Sequence, residues 1–344
     1  VKKYNVAVVG VGAVGVEMLR VLHNRKFPCG TLKVMARRPR TIVVDGRSYD
    51  VVETTAQAFD GIDIALFAGT EGEKGAAVTF GKEAVSRGAV VIDNGADYRM
   101  DPRVPLVIPE VNGDALKNHQ GIIANPNCTT AVLLMPLGPL HRAFRVKRVV
   151  VSTYQAVSGA GGKAMDDLRS QAASFLKGEK VIDFGSFPDQ IAFNVLANNW
   201  KIDDQGVSNE ELKVVKETHK ILGDDRIAVS VTTVRVPTLV GHGESVYIET
   251  EKDVTPQAAM EVLRRAPGVC VVEADPQDGI AHCPTPLMSA GKEATFVGRV
   301  RADLFSSKAL LFWVVGDNLW KGAALNAVQI AEMLIEKDWL KSTK

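Results

Sequence analysis

Cysteine is scarce and unpaired in this chain: Cys29, Cys128, Cys270 and Cys283 are the only four in 344 residues, and no C-x-x-C occurs. That spacing argues against a zinc site and against a disulfide framework, so reduced thiols and no metal are expected. Net charge is also lacking. Lysine plus arginine total 41 against 40 acidic residues, a balance of +1, so no overall field draws the molecule to nucleic acid or to an anionic membrane. Neither is expected as a partner, and any anion binding must be local. No long apolar run opens the chain: Val1 to Gly10 is strand-like and is broken by glycine too early for a signal peptide or a transmembrane helix. A cytoplasmic location is the expectation. There is no internal repeat and no low-complexity linker.

The chain is 46% hydrophobic, enough for a substantial core and, at this length, for two domains. Over the first third, strand-like runs (Asn5 to Val9, Leu32 to Met35, Ile62 to Phe67, Ala89 to Ile92, Gly121 to Ala124) alternate with helical patterns near Val14 to His23 and Glu73 to Arg87. Such alternation predicts an α/β fold with a parallel sheet wrapped by crossover helices. After Cys128 the texture changes. Arg148 to Tyr154, Ile227 to Val236, Glu244 to Thr250, Ala294 to Ala302 and Ala309 to Val315 read as strands, with helices at Gly162 to Leu176, Glu210 to Leu222 and Pro256 to Arg265. This half reads as an α+β domain on a mixed or antiparallel sheet. The expected division is a Rossmann-type nucleotide domain, residues 1–127, completed by a C-terminal helix within 322–344, and a second domain over 128–321.

Gly10-Val11-Gly12-Ala13-Val14-Gly15 follows the first strand and opens a helix, the context that G-x-G-x-x-G requires for dinucleotide binding. The glycines permit a tight turn, and backbone amides at the helix N-terminus can then approach a pyrophosphate. An NAD-preferring site places Asp or Glu about 20 residues further on, where it bonds the ribose 2′-hydroxyl. Here the second strand ends in Met35-Ala36, followed by Arg37-Arg38-Pro39-Arg40. Forked guanidinium donors pair well with phosphate, so either Arg37 or Arg38 is expected to meet the 2′-phosphate of NADP. A plain solvated basic turn is the competing explanation.

Pro126 and Asn127 end an extended run, and Thr129 to Phe144 read as an apolar helix despite Pro136 and Pro139. Cys128 therefore falls at a helix N-terminus, where the dipole and free amides favour thiolate over thiol. A lone cysteine is more often a small buried hydrophobe, but position at the edge of a nucleotide domain favours a nucleophile. Cys29, Cys270 and Cys283 lack that context and read as structural.

The run Asn125-Pro126-Asn127-Cys128-Thr129-Thr130 resembles the active-site signature of aspartate-semialdehyde dehydrogenases. Similar stretches accompany it: Val91 to Asn94, Asp97 to Pro102, Val107 to Asn112, Tyr154 to Gly161, Asp317-Asn318 and Gly322 to Ala327. The likeness runs through essentially the whole chain in order. It implies NADPH-dependent reductive dephosphorylation of β-aspartyl phosphate to aspartate β-semialdehyde and phosphate, on the route to lysine, methionine and threonine. It also implies a homodimer or homotetramer formed through the second domain.

By motif position, the resemblance makes Cys128 the thioester-forming nucleophile, Gln155 the residue that orients the acyl group and His242 the acid/base catalyst. Arg235 would grip the substrate carboxylate, Glu210 its ammonium, and Lys213, Arg99 and Asn127 the phosphate. For the cofactor, Gly10, Gly12, Ala13, Val14 and Gly15 would cradle the pyrophosphate. Ser158, Gly159 and Gly161 would approach by backbone, and Asn318 would bond the nicotinamide carboxamide. Each has a plainer explanation alone: Glu210 and Lys213, three apart on a helix, make an ordinary surface pair, and Arg235 an outward-facing strand residue. The glycine loop is one residue shorter than the G-A-T-G-A-V-G form common in the family. An N-acetylglutamyl-phosphate reductase would carry glycine where Asn127 stands, and a catalytically silent paralogue would have lost Cys128, His242 or Arg235.

Overall fold

The computed structural model describes residues 2–69, 75–273 and 283–340. The chain divides into two compact units, Val1–Asn127 with Ala323–Lys344, and Cys128–Gly322.

The first unit opens with β1 (Tyr4–Val9), α1 (Ala13–Asn24) and β2 (Cys29–Ala36), followed by a hairpin of β3 (Arg40–Val44) and β4 (Arg47–Glu53). It continues through β5 (Ile64–Phe67), α2 (Ala76–Ser86), β6 (Val90–Asp93), the single turn α3 (Pro109–Asn112) and β7 (Ile122–Ala124). The seven strands lie in the order β3-β4-β2-β1-β5-β6-β7. All pairs are parallel except β3 with β4. β1, β5 and β6 are buried on both faces, as a sheet covered by helices requires. The chain moves from β1 to one side of the sheet and later to the other. The loop after β1 therefore lies at the switch point, where open α/β sheets bind their ligands.

Two sequence expectations need correction here. The hairpin β3/β4 was not foreseen, and Arg40, taken as the end of a basic turn, is the first residue of β3. The helix expected from Glu73 begins at Ala76; Glu73 and Lys74 lie outside the described residues, as does the 341–344 end of the C-terminal segment.

The second unit starts with α4 (Cys128–Phe144) and β8 (Val146–Gln155), then α5 (Gly162–Leu176), α6 (Asn209–Leu222), β9 (Ala228–Arg235) and β10 (His242–Thr250). It ends with α7 (Pro256–Arg265), β11 (Val269–Val272), α8 (Pro286–Ser289), β12 (Thr295–Ala302) and β13 (Ala309–Gly316). The six-stranded sheet has the order β11-β12-β13-β10-β8-β9 and is mixed: β8 with β9 and β11 with β12 are parallel, the other pairs antiparallel. Residues alternate along β8, with Val149, Val151, Thr153 and Gln155 buried and Val150 and Tyr154 exposed, the period-two pattern of a sheet with one covered face.

α4 covers that face, lying against β8, β10, β12 and β13. Every residue from Thr129 to His141 is buried, including Pro136 and Pro139. Each proline removes an amide from the helix ladder, and burial of the surrounding apolar side chains offsets the loss. After a π-helical turn at Trp320–Ala324, α9 (Leu325–Glu336) lies against α1, β5 and β6 of the first unit. There Arg25 Nη2 donates to Glu332 Oε2 at 2.7 Å. Among the described residues no helix is long and apolar enough to cross a membrane.

Candidate active site

Cys128 is the first residue of α4, and His242 is the first residue of β10, a strand that α4 covers. Cys128 Sγ lies 3.2 Å from His242 Nε2. On the other side of the ring, Nδ1 accepts a hydrogen bond from the Ala156 backbone N–H at 3.0 Å. A nitrogen that accepts cannot carry the proton, so the neutral ring holds its hydrogen on Nε2, facing the sulfur. His242 is completely buried. Burial first, and then the charge of Arg235, hold its imidazole well below the ordinary histidine range.

Arg235 closes β9, with 3% of its surface exposed. Nη1 donates to the Ala156 carbonyl at 2.6 Å, and the guanidinium lies 4.8 Å from the centroid of the Trp200 ring. Its Nε has no hydrogen-bond partner among the described residues. Desolvation pulls the guanidinium down, while Cys128 and Glu210 oppose that with negative charge. A buried guanidinium with an unpaired Nε–H is able to receive an anion.

Gln155, at the end of β8, is held at both ends of its amide. Oε1 accepts from the Thr153 hydroxyl at 3.0 Å, and Nε2 donates to Glu210 Oε1 at 3.2 Å. Glu210 lies in the first turn of α6 and is paired with Lys213 at 3.6 Å. A capping box fixes that end of the helix: Ser208 Oγ accepts from the Glu211 N–H, and the Glu211 carboxylate accepts from the Ser208 N–H. Glu211 also accepts from the Thr233 N–H on β9, which locks α6 to the strand carrying Arg235. Five of the residues singled out in the sequence, Gln155, Glu210, Lys213, Arg235 and His242, are thus linked to Cys128 or to one another within the second unit.

Arg99 and Asn127 belong to the first unit, and both are buried. Arg99 donates from Nε to the Asn125 carbonyl at 2.9 Å and from Nη2 to the Asn94 carbonyl at 2.7 Å. Sequence reasoning missed Asn326 of α9. Its Nδ2 donates to Asn125 Oδ1 at 2.6 Å and to the Val107 carbonyl at 2.9 Å, tethering the run that leads into Cys128. It also missed Gly322, where a Cβ would lie 2.7 Å from the Cβ of Cys128. Only glycine fits against Cys128.

The glycine loop of the first unit fits a dinucleotide. Gly10 has φ +100°, and a Cβ at Gly15 would come within 1.9 Å of the Gly10 carbonyl oxygen. Gly12 caps α1 without any side-chain hydrogen bond, and nothing lies within 4 Å of where its Cβ would be. No side chain caps the first-turn amides of α1, which include those of Ala13 and Val14, and uncapped amides at a helix N-terminus suit phosphate oxygens. The Gly10 N–H donates to the Met35 carbonyl at 2.8 Å, tying the loop to the end of β2, and the exposed Arg37 and Arg38 follow directly.

Ser158, Gly159 and Gly161 form a turn in the second unit, with Gly161 at φ +96°. A Cβ at Gly159 would sit 3.0 Å from Arg235 Nη1. Asn318 is buried, and its amide is bonded to Ser158 and Gly241.

Residues 5–119 match the model of the semialdehyde dehydrogenase NAD-binding domain, and residues 137–321 that of the semialdehyde dehydrogenase dimerisation domain. The aspartate-semialdehyde dehydrogenase of Aquifex aeolicus is 46% identical over 342 residues, 97% of this chain and 98% of the relative. The chain belongs to the aspartate-semialdehyde dehydrogenase family. The Bacillus subtilis relative is 42% identical over 96% of this chain and 97% of its own. Among solved structures, aspartate semialdehyde dehydrogenase II from Vibrio cholerae superposes with a TM-score of 0.90 at 39% identity, covering 97% of this chain and 99% of that one. The same Vibrio enzyme complexed with ASA gives 0.89 at 38% identity, covering 98% and 99%. The fold class read from the sequence, a nucleotide domain joined to an α+β domain with a mixed sheet, agrees with these relatives.

Proposed function

We propose that the chain reduces L-β-aspartyl phosphate to L-aspartate β-semialdehyde, releasing phosphate, by way of a thioester on Cys128. The observation that carries this is the 3.2 Å approach of Cys128 Sγ, at the start of a helix, to a buried, neutral His242, in a chain of this family. In the reductive direction the Cys128 sulfur bonds to the acyl carbon as the carbon–oxygen bond to phosphate breaks. NADPH, when bound, supplies the hydride. His242 presents its Nε2–H to the carbonyl oxygen as negative charge develops there, a role that a neutral imidazole fills well. The carbon–sulfur bond then breaks, returning the thiolate that the N-terminus of α4 favours.

Recognition rests on charge. Arg235 takes the α-carboxylate as a bidentate partner, Glu210 the ammonium, and Gln155 orients the acyl group. Lys213, Arg99 and Asn127 take the phosphate by their places in the family motifs. Gly10, Gly12, Ala13, Val14 and Gly15 hold the pyrophosphate, and Arg37 or Arg38 the 2′-phosphate, which makes NADP the preferred carrier. Ser158, Gly159 and Gly161 approach the cofactor by backbone, and Asn318 keeps one Nδ2 hydrogen for the nicotinamide carboxamide. The working form is a homodimer or homotetramer formed through the second unit, and the place of action is the cytoplasm, where four free thiols remain reduced.

The test is phosphate-dependent reduction of NADP and of NAD by aspartate semialdehyde and by the N-acetylglutamate analogue. Turnover with aspartate semialdehyde and NADP is the expected result. Turnover with the acetylated analogue alone would overturn the substrate.

A further inference from the structure

Two backbone segments hold the His242 ring. One carries Ala156, whose N–H meets Nδ1; the other carries Gly241, the residue before the histidine. Gly241 has φ +93°, and a Cβ there would lie 2.4 Å from the Pro286 carbonyl oxygen, so this turn admits glycine alone. A single side chain bonds to both segments. Asn318 Oδ1 accepts from the Gly241 N–H at 2.9 Å and from the Ser158 hydroxyl at 3.2 Å, and its Nδ2 donates to Ser158 Oγ at 2.9 Å. Ser158 stands two residues after Ala156 in the same turn. The segments also share backbone bonds, Val157 N–H to Thr238 O and Ser158 N–H to Leu239 O. Ladder pairs of β10 with β8 and β13 hold Gly243 on the far side of the histidine, and among the side-chain bonds described Asn318 is the one that reaches Gly241 on the near side.

Asn318 is itself fixed from behind. Asp317 Oδ1 accepts from the Leu319 and Trp320 amides, and Oδ2 accepts from the Gly291 N–H at 2.7 Å. The staple is thus anchored at a rigid turn and buried, with 2% of Asn318 and of Ser158 exposed.

We infer that Asn318, through Ser158 and Gly241, is a positioning residue that aims the His242 Nε2–H at Cys128, a duty separate from any contact with the nicotinamide. The inference rests on the Cys128–His242 pair proposed above. It follows that the loss of Asn318 is felt at the sulfur even when no cofactor is bound, because the staple acts within the protein.

The test uses the cofactor-free enzyme and follows alkylation of Cys128 by iodoacetamide across pH, read by mass spectrometry of the Cys128 peptide. Asn318→Ala should slow alkylation by about tenfold, a modest effect for a misplacement well under an ångström, and shift the pH at which the rate rises. Ser158→Ala should act in the same direction but less. Asn318→Asp, which keeps an acceptor for the Gly241 N–H, should restore most of the rate. If Asn318→Ala fails to fold by circular dichroism, the near-isosteric Asn318→Leu reads the same quantity. A wild-type profile in the folded Asn318 variant, with only the NADP KM raised, overturns the inference. His242→Gln is the control: a wild-type profile there would instead sink the Cys128–His242 pairing itself.

Discussion

Replacing Glu244 by glutamine should change how stability depends on pH. Glu244 sits two residues after His242 on β10, pointing to the same covered face of the sheet, and is completely buried. Neither carboxyl oxygen has a hydrogen-bond partner among the described residues, and burial holds the group well above the usual carboxylate range. The folded protein therefore keeps it protonated, while the unfolded chain releases that proton above about pH 4.3. A folded-state shift upward means stability is fully present below that pH and is lost as pH rises. The loss is about 1.4 kcal/mol per pH unit for as long as the folded carboxyl stays protonated. Glutamine has nearly the same shape and no proton to lose, so the variant should escape this loss. Its stability relative to wild type should rise by up to about 2.7 kcal/mol between pH 5.5 and 7.5. Paired denaturation curves at fixed protein concentration across that range measure the difference, and the titration of every other group, His242 included, cancels to first order in the comparison. A difference that does not vary with pH would refute the buried neutral acid.

Cys128→Ala should abolish turnover while leaving the melting temperature and NADPH binding, measured by fluorescence titration, close to wild type. Arg37→Ala and Arg38→Ala should raise the KM for NADP by about 10- to 100-fold in whichever variant loses the charge-assisted bond to the 2′-phosphate. The KM for NAD should barely move, and equal effects on both cofactors would remove the arginines from that role. Gly322→Ala should lower kcat by on the order of 100-fold by displacing Cys128. A crystal structure of that variant should show the sulfur moved away from His242.

Much of the first unit was legible because its signals are local. The β-branched runs at β1, β5 and β6 and the glycine turn that follows β1 each lie within a few positions of what they explain. Cys128 was legible for the same reason, since two helix-breaking neighbours precede it and an apolar helix follows. The hairpin β3/β4 was passed over although it carried a signal. Asp45-Gly46 both take positive φ, +48° and +77°, as a tight two-residue hairpin turn requires. The flanking strands lie at the sheet edge and are too polar to stand out against that turn.

The site was legible as a set of residue types but not as an arrangement. Gln155 is held by Thr153 nearby and by Glu210 far along the chain, and His242 is held by the amide of Ala156. An amide donor leaves no mark in a sequence. Gly322 and Asn326 act on Cys128 and Asn125 from about two hundred residues away. Asn318, expected at the cofactor, has most of its bonding capacity taken up by Ser158 and Gly241.

The covalent bond to Cys128 can be trapped by withholding phosphate. Enzyme mixed with aspartate semialdehyde and NADP in the absence of phosphate should lose hydride to the cofactor once and stall as the thioester. Acid quenching and peptide mass spectrometry should then find one aspartyl group on the Cys128 peptide, removed when phosphate is added before the quench and absent from Cys128→Ala. An unmodified Cys128 peptide alongside stoichiometric NADPH formation, or an aspartyl group on another residue, would mean that the reaction does not pass through a Cys128 thioester.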